Sequence, residues 1–153
     1  MSIYSVMADQ GLLVQLPDMI FFQPTAAFSE WLGAEKLIID CGCGVGLLSS
    51  LHSHVIGIDI MERRCPLADV SYGVCAIEYP FRPDHTVLIA RPNHSGWHQE
   101  VFVNALKAGS KVVYVGLPKN YDIDLECVDY EVFMENAGRE GEEACLIKRT
   151  NYE

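Results

Sequence analysis

The stretch from Leu37 to Asp59, LIIDCGCGVGLLSSLHSHVIGID, constrains this chain more than any other. Its Leu-Ile-Ile run is continuous rather than alternating, as expected of a strand buried on both faces of a parallel sheet, so a first strand is expected over Lys36 to Cys41. Glycines at 42, 44 and 46 follow, then room for a helix of about two turns within Val45 to Ser53. A second apolar run, His54 to Asp59, closes the unit on an acid. Strand, glycine loop, helix and strand in that order let backbone approach a ligand closely, because no side chain stands in the way and positive φ is available.

The rest of the chain reads as a continuation of that unit. Half of the 153 residues are hydrophobic, enough for one compact domain over 1–153, with residues 1–35 as an N-terminal cap. Within the cap, Thr25 is a good N-cap, and Phe28, Trp31 and Leu32 follow at helical spacing up to Gly33. That helix packs on the sheet, or it serves as a lid with Phe21 and Phe22 closing over a ligand. Further strands are expected at Val74–Ile77, Thr86–Ala90 and Lys111–Gly116, with a helix from Trp97 to Ala108 capped by Gly109. Asp129–Met134 and Ala144–Arg149 are joined by a loop too short for a crossover helix, so they should pair antiparallel.

Composition narrows the function classes. Eleven Lys and Arg stand against 21 Asp and Glu, and from Asn120 onward ten acids face three bases. A tail that acidic repels phosphate backbones, which argues against a nucleic-acid substrate. No apolar run reaches the roughly 18 residues of a membrane span, and the start lacks the basic region of a signal peptide, so a cytoplasmic protein is expected. The six cysteines form no CxxC pair; Cys41-x-Cys43 alone falls short of a zinc pattern, and reduced structural thiols with no metal are expected.

The glycine spacing separates two nucleotide classes. A dinucleotide fingerprint needs G-x-G-x-x-G, but the residue three after Gly44 is Leu47, which disfavours NAD. Asp40-Cys41-Gly42-Cys43-Gly44-Val45-Gly46 instead resembles the first motif of the class I, Rossmann-like S-adenosylmethionine-dependent methyltransferases, and Val55-Ile56-Gly57-Ile58-Asp59 resembles their second strand. The resemblance implies an α/β fold: a doubly wound, mostly parallel sheet in the order 3-2-1-4-5-7-6 with a C-terminal antiparallel β-hairpin. The segment from Pro118 to Cys127 is brief where that family carries a helix, so a trimmed version is expected.

The resemblance also implies roles. Gly42, Cys43, Gly44 and Gly46 would form the backbone wall around the amino-acid part of S-adenosylmethionine, with Asp40 organising the loop or reaching the methionine ammonium through water. Asp59 would take the ribose hydroxyls, and Ile60 and Met61 would contact the adenine. Cys75 and Ala76 stand in the segment where the family often places an acid for the adenine amino group; the acid's own position is Cys75, with Asp69 or Glu78 as substitutes. The fourth strand ends at Ala90, so Arg91 to Gly96 would lie beside the reacting methyl. There His94 could act as a base and Arg91 could bind an acidic acceptor, against the alternative that both are ordinary surface residues. Nucleic-acid amino methyltransferases carry an Asp/Asn-Pro-Pro-aromatic motif at this place, whereas this chain has Ala90-Arg91-Pro92-Asn93-His94.

The expected activity is methyl transfer to a small molecule or a protein side chain. The alternatives are a catalytically silent S-adenosylmethionine-binding protein acting through a partner and, more weakly, an NAD-dependent oxidoreductase. Aromatics near the N-terminus leave a homodimer or a partner subunit open.

Overall fold

The computed structural model describes residues 22–92, 96–120 and 123–150. Seven strands form one sheet: β1 (Ile38–Cys41), β2 (Val55–Asp59), β3 (Ser71–Tyr72), β4 (Thr86–Ala90), β5 (Lys111–Gly116), β6 (Val128–Met134) and β7 (Glu143–Arg149). Their order is β3-β2-β1-β4-β5-β7-β6. The first five run parallel, and β7 is antiparallel to both β5 and β6. This is the expected Rossmann-like α/β sheet with its terminal hairpin.

The apolar runs are continuous because both faces are covered. On one face Ile39, Val87, Ile89 and Val112 pack against Val101, Phe102 and Ala105 of helix α3 (Trp97–Lys107). On the other Ile38, Leu88, Val113 and Val115 meet Phe28 and Leu32 of α1 (Ala26–Ala34) and Leu48 of α2 (Leu47–Leu51). Each fully buried Val, Leu, Ile or Phe stabilises the fold by about 1.5 to 3 kcal/mol relative to exposure. The parallel strands all end at one edge of the sheet, and the glycine loop leaves β1 there.

Thr25 caps α1 as expected, its hydroxyl accepting from the Phe28 N–H. Gly33 does not stop that helix, which continues to Ala34; the Leu32 carbonyl is satisfied by the Glu35 N–H, with His54 Nε2 2.7 Å away. The lid role does not hold for Phe22, which is 7% exposed and packs edge-on against Phe28. Its segment is tied to the β6–β7 loop, since the Thr25 N–H donates to the Ala137 carbonyl. Phe21 lies outside the described residues.

The third strand is also corrected. It is Ser71–Tyr72, paired with Ile58 and Asp59, whereas Val74–Ile77 runs into a 3-10 turn at Ala76–Glu78. The apolar residues there pack toward α3, and the Asn104 amide donates to the Ile77 carbonyl. Those contacts satisfy the segment without a neighbouring strand. Among the described residues no helix is long and apolar enough to cross a membrane.

Candidate functional site

The glycine loop is fastened from three directions. The Gly42 and Cys43 N–H groups both donate to the Ile58 carbonyl at 2.8 and 3.0 Å, which draws the loop across the end of β2. The Gly44 N–H donates to Asp59 Oδ2 at 2.9 Å, and the Gly44 carbonyl accepts from the Tyr72 hydroxyl at 2.9 Å. The other Asp59 oxygen accepts from the Met61 N–H at 3.0 Å. Each carboxylate oxygen retains a second lone pair, so Asp59 can hold the loop and still accept a hydrogen bond from a ligand.

Two glycines are required by their surroundings. Gly42 has φ +74° and lies against the Trp97 ring, where a Cβ would come within 3.3 Å. At Gly46, with φ +82°, a Cβ would fall 2.7 Å from a Val70 methyl. A side chain at either place would strain the backbone; at Gly42 it would crowd the Trp97 ring, and at Gly46 it would collide.

Beside this loop lies a cavity of about 540 Å³, of the size that takes a nucleotide-like ligand. Its wall includes Gly42, Asp59, Ile60, Met61, Cys75, Ala76 and Arg91 from the sequence expectation. Ile60 and Met61 are 69% and 59% exposed, so they present apolar surface to whatever enters. Neither Asp69 nor Glu78 is part of the wall, whereas Cys75 is. Asp40, Cys43, Gly44 and Gly46 are not wall residues either; they build the support behind it.

The charge in that support is unusual. Asp40 is buried, and desolvation, with the Asp59 carboxylate adding to it, pushes its pKa up to about 7. Burial, then the charges of Asp40 and Asp59, also push the Cys43 thiol well up, which keeps it protonated and unsuited to nucleophilic attack.

Arg91 follows β4 with φ +48° and borders the cavity. Its Nη1 lies 2.7 Å from Glu140 Oε2 and 3.8 Å from Glu142 Oε2, both on the β6–β7 loop. The guanidinium is thus engaged by two carboxylates. His94 lies outside the described residues.

Trp97, Arg63 and Tyr72 are among the wall or support residues that escaped the sequence reading. Trp97 and Arg63 line the cavity, and Tyr72 holds Gly44. Trp97 has the helical spacing of a core residue, and the stretch around Arg63 and Tyr72 is polar with no periodicity, so no local signal marks them. Tyr72→Phe deletes one hydrogen bond to the loop; it is expected to lower stability by about 1 kcal/mol in urea denaturation, with the fold unchanged by circular dichroism.

No family model and no curated protein matches the chain. Solved structures do match. The 23S rRNA methyltransferase ErmE aligns over 82% of this chain and 67% of its own, with a TM-score of 0.51 at 13% identity. The 1,6-didemethyltoxoflavin-N1-methyltransferase of Burkholderia thailandensis, solved with its substrate and S-adenosylhomocysteine, aligns over 83% and 76%, with a TM-score of 0.50 at 12% identity. At such identities the likeness is one of fold, and it coincides with the strand order found here. The chain has the Rossmann-like fold of the class I S-adenosylmethionine-dependent methyltransferases.

Proposed function

We propose that this chain is a single-domain S-adenosylmethionine-dependent methyltransferase acting on a small molecule or a protein side chain. The observation that carries the reading is the clamp between Gly44 and the wall residue Asp59, because it holds a carboxylate fixed with lone pairs to spare in a cavity that the bare backbone of Gly42 also lines. That donor and acceptor set fits the cofactor. Asp59 is suited to two adjacent ribose hydroxyls, Ile60 and Met61 to the adenine ring, and the Cys75–Ala76 segment to the adenine edge. Gly42 gives the methionine part room that a side chain would fill, and ionised Asp40 supplies negative charge for its ammonium.

Bound there, S-adenosylmethionine would supply an electrophilic methyl group needing no metal. The chain's part is then to align an acceptor at the Ala90–Pro92 end of the cavity. Arg91 and His94 remain the candidates for acceptor binding and proton removal. The pairing of Arg91 with Glu140 and Glu142 favours a second reading in which that guanidinium is structural and the chain binds the cofactor while acting through a partner.

Calorimetry tests the cofactor first. Micromolar S-adenosylmethionine binding is expected, and binding of NAD in its place would reject the reading. Asp59→Ala should weaken S-adenosylmethionine by about 1.5 to 3 kcal/mol, the worth of hydrogen bonds to a charged group. Incubation with methyl-labelled cofactor and host-cell extract should mark a specific fraction if transfer is retained, and no label in any fraction supports the binding protein.

A further inference from the structure

Trp97 opens α3, and its indole lines the end of the cavity shared by Gly42, Ala90 and Pro92. The Cζ2 and Cη2 carbons of that ring would stand 3.3 and 3.4 Å from a Cβ on Gly42, so the benzo edge of the indole adjoins the glycine loop and its faces are not taken up by that contact. From the side it meets the imidazole of His98 edge-on, with centroids 6.4 Å apart. His98 is itself buried against Phe102 and Tyr114, so the ring position is set by the α3 core.

The charges bordering the cavity make this ring significant. Among the described residues Asp59 is the one carboxylate of the wall, and it already accepts from Gly44 and Met61; Arg63 brings positive charge, and Arg91 is paired with Glu140 and Glu142. A sulfonium is cationic but carries no N–H or O–H donor, so only weak C–H···O contacts can recognise it by hydrogen bonding, whereas the negative face of an indole attracts its charge directly. The geometry points to Trp97 as a specificity-determining residue that attracts the sulfonium of S-adenosylmethionine by cation–π contact and so separates it from S-adenosylhomocysteine. The inference rests on the cofactor reading proposed above. When the methyl–sulfur bond breaks, its electron pair stays on sulfur and the positive charge is lost, so the by-product no longer benefits from the indole.

Calorimetry on the full chain with both ligands tests this. Trp97→Leu should weaken S-adenosylmethionine about tenfold while S-adenosylhomocysteine changes less than twofold. Trp97→Phe, which retains a weaker π face, should lose about threefold for the sulfonium ligand alone, and it carries the test if the leucine variant does not fold. Equal losses for both ligands would overturn the inference and leave Trp97 as a packing residue on Gly42. Wild-type protein that binds neither ligand would instead reject the cofactor reading, and the role of Trp97 with it.

Discussion

Asp40→Asn is expected to make the ligand-free protein more stable at pH 8, by an amount on the order of 4 kcal/mol, and to leave it unchanged near pH 4. Burial and the neighbouring Asp59 raise the Asp40 pKa from 3.8 to about 7 in the folded chain. Below the lower value Asp40 is protonated whether folded or unfolded. Between the two, the folded chain keeps a proton that the unfolded chain releases, so stability falls as pH rises and the loss is complete once the pH passes about 7. At roughly 1.4 kcal/mol per pH unit over about three units, the loss reaches about 4 kcal/mol. Asparagine has nearly the same shape and no charge to desolvate. Urea denaturation at pH 4, 6 and 8 checks this: the wild-type curve should fall and the variant curve should stay comparatively flat. Parallel curves would show that Asp40 is ionised throughout and stabilised by its surroundings.

The same substitution should act oppositely on ligand binding. A cationic ammonium near the loop favours the ionised form of Asp40, so S-adenosylmethionine should bind the wild type more tightly as the pH rises through about 7. Asp40→Asn should remove that dependence and weaken binding at pH 8. A buried acid that costs stability and returns it as affinity is a common arrangement at functional sites.

How far the sequence foretold this arrangement differs from residue to residue. β1, β2, β4 and β5 were legible because a strand covered on both faces must be apolar at every position, and Ile38–Ile39, Val87–Leu88–Ile89 and Val112–Val113 are. Ser71–Tyr72 was not, since two residues carry no periodicity, while nearby Val74–Ile77 is apolar for its contacts with α3. That the glycines follow the first strand and Asp59 ends the second was legible from the apolar runs beside them. That Asp59 also fastens Gly44, and that Tyr72 and Trp97 come to the same loop from β3 and α3, depends on tertiary proximity that no local pattern encodes. Arg91 shows the same limit, because the partners that define its environment lie on the far hairpin loop.

Arg91→Ala should cost about 3 to 5 kcal/mol of stability, more than a surface ion pair would. The reason is Glu142, whose side chain is 1% exposed. One of its oxygens accepts from the Glu140 N–H; the other makes no hydrogen bond among the described residues and faces the Arg91 guanidinium at 3.8 Å. Without that guanidinium a carboxylate is left buried against Gly138, so close that a Cβ there would collide with its Oε1. Glu142→Gln removes the charge but keeps an acceptor for the Glu140 N–H, so Arg91→Ala in that background should cost much less, and a double-mutant cycle isolates the coupling. Alanine at position 91 keeps the strain of a non-glycine residue at φ +48°, so that term cancels in the cycle. An undiminished cost in the glutamine background would mean that Arg91 acts by packing alone. The cycle also bears on chemistry: if Arg91 chiefly neutralises Glu142, the Arg91→Ala/Glu142→Gln protein should regain S-adenosylmethionine binding along with stability, whereas an acceptor-binding arginine would leave transfer impaired, with a raised KM, in a protein that is stable again.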